Sequence, residues 1–155
     1  MSIFIIIAAV VLDQAAKYLI TARMAMNQSY PIIKDILHFT YIEKNTGMVF
    51  GMFQGGNHVI LAITIMFTAL IAWIMIKEKE KWVKVALAMV VGGAVGNIID
   101  RVFRGGVVDF IDARFVDFYI FNVADCFVCI GAGIMILVLL VSKNDKDNSK
   151  GTSAG

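Results

Sequence analysis

The amino-acid sequence predicts an all-α polytopic membrane protein with four transmembrane helices and a small extracytoplasmic β-sheet. Three observations support this fold class. Of 155 residues, 59% are hydrophobic and 17% are charged, and the mean hydropathy is +0.80. The apolar residues form four runs long enough to cross a bilayer, which takes ~20 residues per helix. Between the first two runs, residues 39–42 are aromatic and β-branched, which favours a strand.

The composition excludes several classes of protein. A soluble domain of this length could not bury so much apolar surface, because about 30% of the surface of the unfolded chain stays exposed after folding. The single proline and the low charged fraction exclude a disordered or collagen-like chain. The net charge of +2 gives no reason to expect a nucleic-acid partner. Cys126 and Cys129 lie within an apolar run and do not indicate a disulfide framework.

We expect a single membrane domain over residues 1–142 and a disordered cytoplasmic tail over residues 143–155. The predicted spans are residues 3–22, 59–76, 82–101 and 119–141, with outer loops at residues 23–58 and 102–118. The first span lacks a basic segment before its apolar run and contains Asp13 and Lys17. It therefore indicates a retained helix rather than a cleaved signal peptide.

The positions of the lysines predict the orientation of the spans. Lysines crowd the connection between the second and third spans and recur in the C-terminal tail, and such short basic segments stay in the cytoplasm. Four spans then place both termini in the cytoplasm and both long loops outside. Residues 39–42 belong to the first outer loop, so we expect a small sheet or hairpin at the outer surface.

Polar side chains within the spans are costly and therefore informative. Asp13 and Lys17 are four residues apart and can pair on one helix face, either as a salt bridge that lets the helix insert or as functional groups. Gly92 and Gly96 are typical of close helix packing. Asn97 carries an amide that must find a partner at depth.

Three acids are predicted to lie at one depth, because the third span ends at the outer face and the fourth begins there. They are Asp100, Asp109 and Asp125. Asn122 and Asp125 could simply cap the fourth helix. Two carboxyl groups held together, however, share one proton, so that one can activate water while the other polarises a carbonyl. The sequence therefore suggests an aspartic dyad of Asp109 and Asp125.

Other chemistries find less support. The two histidines, His38 and His58, have no metal-ligand spacing, and the serines lie in termini or loops without a neighbouring base. Two further hypotheses are open. A small transporter or channel would line its pathway with the polar residues of the spans: Asp13, Lys17, Asn97, Arg101 and Asp125. A non-enzymatic assembly factor would use its small-residue faces to hold partner helices. The charges gather at one interface rather than along the depth of the membrane, which speaks against a transport pathway and favours the aspartic dyad.

The chain resembles the lipoprotein signal peptidase (signal peptidase II) family, the bacterial membrane aspartic peptidases, over about residues 3–141. Five motifs occur in order on the predicted spans and outer loops. They are Asp13-Gln14-Ala15-Ala16-Lys17, Asn45-Thr46-Gly47-Met48-Val49-Phe50, Gly96-Asn97-Ile98-Ile99-Asp100-Arg101, Val107-Val108-Asp109-Phe110 and Phe121-Asn122-Val123-Ala124-Asp125.

The resemblance implies that the protein removes the signal peptide from diacylglyceryl-modified prolipoproteins, cleaving before the lipidated cysteine, and that the cyclic peptide globomycin inhibits it. It implies that Asp109 and Asp125 are the catalytic aspartates, and that a small β-sheet cradle stands outside the membrane. The other functional positions implied are Asp13, Lys17, Asn45, Gly47, Gly93, Asn97, Arg101, Asn122 and Ala124. We expect no metal or cofactor. The expected partners are the lipid-modified substrate and membrane lipids, and the enzyme is expected to be a monomer in the bacterial cytoplasmic membrane.

Overall fold

The structure is a computed structural model that describes residues 1–45, 57–115 and 118–152. Four helices and three strands make up this part of the chain. The helices are α1 (Ser2–Arg23), α2 (Asn57–Lys77), α3 (Lys81–Phe103) and α4 (Val123–Thr152), and the strands are β1 (Ser29–Ile33), β2 (Leu37–Asn45) and β3 (Val107–Ala113).

Each helix contains a segment of 20 to 23 residues that is long and apolar enough to cross a membrane. The four predicted spans are therefore confirmed as helices. Their outer surfaces carry large exposed apolar side chains such as Phe4, Phe67 and Leu137, which suits a hydrocarbon environment. These four helices are the spanning candidates among the described residues.

The fourth helix differs from its predicted limits at both ends. It begins at Val123 rather than at residue 119, because Phe121 is extended and pairs with Ile111. It continues to Thr152, whereas the polar composition after Ser142 predicts disorder. Neither glycine nor proline interrupts residues 143–150, and adding a residue to an existing helix costs far less than starting one.

Helix α3 lies at the centre of the bundle, since it packs against α1, α2 and α4. Glycines allow these close approaches. A Cβ added at Gly92 would lie 2.7 Å from the Ala9 Cβ of α1, and one added at Gly93 would collide with the Ala124 carbonyl oxygen of α4. The small-residue face predicted from the sequence thus brings the backbones of neighbouring helices together.

The sheet is antiparallel with the strand order β1-β2-β3. The strand predicted at residues 39–42 is confirmed within β2. The third strand comes from the second outer loop and was not predicted. Tyr41, Val108 and Phe110 pack with Ile20 of α1, so the sheet is fixed to the outer end of that helix. Ile42 pairs with Asp109, which places this acid near the start of β3.

Candidate active site

The N-terminus of α4 is closed by a reciprocal pair of hydrogen bonds. The Asn122 Oδ1 atom accepts from the Asp125 backbone N–H at 3.1 Å, and the Asp125 Oδ2 atom accepts from the Asn122 N–H, also at 3.1 Å. This is the geometry of a capping box. The capping interpretation of Asn122 and Asp125 is therefore correct, but it accounts for only part of their contacts.

The Asn122 side chain also reaches the second predicted acid. Its Nδ2 donates to the Asp109 Oδ1 at 2.7 Å, in a contact that is buried. One fully buried asparagine thus contacts both Asp109 on β3 and Asp125 on α4. Because these acids are 16 positions apart in the sequence, their shared contact with Asn122 depends on the return of the chain from β3 to α4.

Asn97 of α3 also contacts Asp125. Its Nδ2 donates to the Asp125 Oδ1 at 2.8 Å. Its Oδ1 accepts from the Lys17 Nζ at 3.0 Å and from the Asn122 Nδ2 at 3.2 Å. The Asn97 amide therefore has three partners within the membrane, Asp125, Lys17 and Asn122. Its orientation is fixed because its oxygen faces two donors and its nitrogen faces an acceptor.

A buried ionic cluster underlies these amides. Lys17 lies 2.9 Å from the Asp13 Oδ2 and 2.8 Å from the Asp100 Oδ2, and all three side chains are inaccessible to solvent. The predicted Asp13–Lys17 pair thus exists and has gained a third member. Asp13 also accepts from the Ala124 N–H at 2.9 Å, which ties α1 to the first turn of α4.

Arg101 supplies positive charge to the same region. Its Nη1 donates to the Asn97 carbonyl oxygen at 3.4 Å, and its guanidinium is attracted electrostatically to Asp109, Asp125 and Asp100. The side chain of Asp109 is almost fully buried, while that of Asp125 is half-buried. Two carboxyl groups, one cation and two amides therefore meet where α3, β3 and α4 converge.

The remaining predicted site residues fall into two groups. Gly93 and Ala124 contact each other across the α3–α4 interface and support the site through packing. Asn45 lies at the end of β2 opposite Val107, with its side chain outside the described residues, and Gly47 lies outside them entirely. Sequence reasoning did not assign a role to Gln14, whose Nε2 donates to the Gly96 carbonyl oxygen and to the Asp13 and Asp100 carboxylates. Its position next to Asp13 was the available signal.

A second polar network lies on the sheet, apart from this site. Thr40 donates to the Asp112 Oδ2 at 2.7 Å, and Arg114 donates to the same oxygen at 3.0 Å. Burial by itself would raise the pKa of Asp112, but these two hydrogen bonds outweigh it and hold the pKa below its usual value. Asp112 is therefore an ordinary paired carboxylate, three residues beyond Asp109 on the same strand.

Comparison with known proteins places this geometry in context. Residues 5–141 match the family described as signal peptidase (SPase) II. The lipoprotein signal peptidase of Brevibacillus brevis is 42% identical over 148 residues, covering 92% of this chain and 99% of the relative. That of Shouchella clausii is 37% identical, covering 97% and 100%. A solved bacterial membrane enzyme is 36% identical with a TM-score of 0.87, over 94% of this chain and 90% of that one.

Proposed function

Because the chain belongs to the signal peptidase II family, an aspartic-type peptidase family, we propose that it removes signal peptides from prolipoproteins with Asp109 and Asp125 as its catalytic pair. The observation that supports this assignment best is the contact of Asn122 with both acids. A single buried residue that orients two carboxyl groups is what a shared-proton dyad requires.

The proposed chemistry follows from the coupling of the two acids. In the proposed mechanism the two carboxyl groups share one proton, as neighbouring carboxyl groups do in aspartic peptidases. The ionised member takes a proton from water, whose oxygen attacks the scissile carbonyl carbon. The protonated member donates a hydrogen bond to the carbonyl oxygen. When the tetrahedral intermediate collapses, the C–N bond breaks and the leaving amine receives a proton from the pair.

The surrounding residues would prepare the dyad for this reaction. The amides of Asn97 and Asn122 fix the orientation of the carboxyl groups, so little reorganisation is needed as charge develops. The guanidinium of Arg101 compensates negative charge near both acids. The cluster of Asp13, Lys17 and Asp100 holds α1, α3 and α4 together beneath them.

The proposed substrate is a diacylglyceryl-modified prolipoprotein, cut just before the lipidated cysteine. Such a substrate carries its acyl chains and apolar signal helix within the bilayer, and its scissile bond must reach water at the outer face. The dyad lies at the ends of α3 and α4 that adjoin the sheet, which suits this depth. Membrane lipids surround the enzyme, globomycin is the expected inhibitor, and we propose that the enzyme acts as a monomer.

The proposed orientation has the α2–α3 connection in the cytoplasm, so that the dyad and the sheet are at the outer face of a multi-pass protein. Lys77 lies 3.7 Å from the centroid of the Trp73 ring, and Lys81 lies 5.6 Å from that of Trp82. Tryptophan and lysine together are typical of a membrane–water interface, and short lysine-rich loops remain inside.

The test is to replace each acid separately, as Asp109→Asn and Asp125→Asn, and to measure release of the signal peptide from a lipidated prolipoprotein. Each variant should lose at least about 10²-fold in turnover, because general acid–base catalysis by both carboxyl groups is lost. Asp112→Asn is the matched control on β3 and should retain activity. Near-wild-type turnover by either dyad variant would refute the assignment.

A further inference from the structure

We propose that Asp100 is a positioning residue of the dyad, one that sets both the place of Asp109 and the pH range in which the pair works. This inference deepens the proposed function and rests on it. Asp100 lies in the last turn of α3 and is fully buried. The mechanism above uses it only as a member of the cluster around Lys17, yet its contacts extend further.

The Asp100 carboxylate has four polar partners. Its Oδ2 lies 2.8 Å from the Lys17 Nζ and accepts from the Val108 N–H at 3.2 Å. Its Oδ1 accepts from the Gln14 Nε2 at 3.2 Å and lies 3.4 Å from the Arg104 Nε. All four partners are N–H donors, which suit the acceptor oxygens of this side chain.

The contact of Asp100 with Val108 affects the position of Asp109, because Asp109 is the next residue of the chain. Between α3 and β3 the chain turns through Gly105, which has a φ of +77° that glycine adopts without strain. The hydrogen bond from the Val108 N–H to Asp100 closes this turn and fixes where β3 begins. A displacement of Asp109 by about 1 Å relative to Asn122 could cost roughly 10²-fold in rate.

Asp100 is also connected to Asp125, through Lys17 and Asn97. Lys17 donates to the Asn97 Oδ1, and the Asn97 Nδ2 donates to the Asp125 Oδ1, so two hydrogen bonds join Lys17 to the second acid. Asp100 is thus connected to Asp109 through the backbone and to Asp125 through the hydrogen bonds that begin at Lys17. Its charge lies in the same buried cluster that supports both acids.

Several other charged or titratable groups surround the dyad. Asp13 and Lys17 face it from α1, Arg101 and Arg104 lie on α3 with Asp100, Cys126 adjoins Asp125 on α4, and Tyr41 of β2 is buried beside Val108. Among these, Arg104 is one-third exposed and contacts Asp100 from the outer edge of the cluster. It therefore allows the charge of Asp100 to be tested from outside the buried core.

The experiment measures kcat, KM and the pH dependence of turnover for Asp100→Asn and Arg104→Gln in the full-length enzyme. Asp100→Asn should reduce kcat by at least tenfold with KM changed by less than about threefold. It should also move the pH–rate profile to lower pH by about half a unit or more, because a buried negative charge is removed. Arg104→Gln removes a positive charge and should move the profile the other way, by about a few tenths of a unit.

The direction of the two shifts separates positioning from mere structural support. An unshifted profile in both variants would overturn the inference, even if activity fell. If Asp100→Asn does not fold, because its amide would meet donors on every side, Arg104→Gln alone decides. Asp112→Asn on β3 should leave the profile unchanged. Retained turnover in Asp109→Asn or Asp125→Asn would instead refute the proposed function, which is a separate outcome in the same assay.

Discussion

At the scale of single residues, Asn122 combines two tasks that are usually separate. Its Oδ1 and backbone N–H complete the helix cap with Asp125, while its Nδ2 reaches Asp109. A residue chosen only for capping could equally be serine, since serine and asparagine cap helices about equally well. The asparagine side chain is needed because only its amide group adds a donor for the second acid.

Asn122→Ser tests this division of roles. The serine hydroxyl can accept from the Asp125 N–H, so the cap is kept. The loss of stability should be about 1–3 kcal/mol, because the two buried hydrogen bonds of the Asn122 Nδ2 are lost. Serine is too short to reach Asp109, and turnover should therefore fall by about 10²-fold or more. Thermal unfolding in detergent and prolipoprotein cleavage measure the two effects. Asn122→Ala should lose both the cap and the activity, and an active serine variant would show that the contact with Asp109 is dispensable.

The buried ion cluster is a second feature of this scale. Removing one member of a buried charge set usually costs about 3–5 kcal/mol, since the remaining charge loses its compensation. Lys17 neutralises part of the charge of Asp13 and Asp100, and it orients Asn97 as well. The same cluster holds the helices together and contacts the amide that holds Asp125 of the proposed dyad. The two alternatives raised by the sequence for Asp13 and Lys17 therefore do not exclude each other.

At the scale of elements, the contact between α3 and α4 determines where the first turn of α4 lies. Gly93 has no space for a side chain, because an added Cβ would meet the Ala124 carbonyl oxygen and lie 2.9 Å from the Val128 Cγ2. Ala124 is itself fully buried, and its N–H donates a hydrogen bond to Asp13. The first turn of α4, which carries Asp125, is therefore seated directly on a glycine of α3.

Gly93→Ala should push these helices apart and displace Asp125 from Asn97. We expect a loss of about 1–3 kcal/mol in stability, typical of overpacking, and a fall in turnover. Gly133→Ala is the matched control on α4, because a Cβ there meets no atom within 4 Å. That control should unfold at the same temperature as the wild type or slightly above it. Equal behaviour of the two variants would contradict the packing argument.

At the scale of the whole molecule, the arrangement depends on orientation in the membrane. The sheet and the dyad lie at one end of the bundle, and the lysine-rich α2–α3 connection lies at the other. In the proposed orientation, the turn between β1 and β2 is outside the cell and the α2–α3 connection is inside. The exposed Lys34 and Lys79 mark these two sites.

Single cysteines test the orientation in intact cells, after Cys126 and Cys129 have been replaced by alanine. A membrane-impermeant maleimide should label Lys34→Cys directly and Lys79→Cys only after permeabilisation. Both variants should first be shown to process a prolipoprotein, which confirms that they are folded. The reverse labelling pattern would invert the topology and place the dyad in the cytoplasm.

Much of this protein can be predicted from the sequence because the bilayer imposes simple rules. Apolar length defines four spans, and polar groups within them stand out because they are costly at that depth. Asp13, Lys17, Asn97 and Asp125 are identified in this way, and the strand in β2 follows from its residue types. The small residues of α3 likewise predict a face that packs closely against another helix, although the sequence does not identify that helix.

Other features depend on partners that are distant along the chain. The strand β3 forms because β2 lies beside it, and the start of α4 at Val123 follows from the pairing of Phe121 with Ile111. The contacts of Asp100 with Lys17 and Val108 join α1, α3 and β3, which are brought together only by packing. The sequence thus determines which groups the membrane cannot leave unpaired, whereas the tertiary structure decides which partner each receives, because hydrogen bonds need distances of about 3 Å that residue spacing alone does not define.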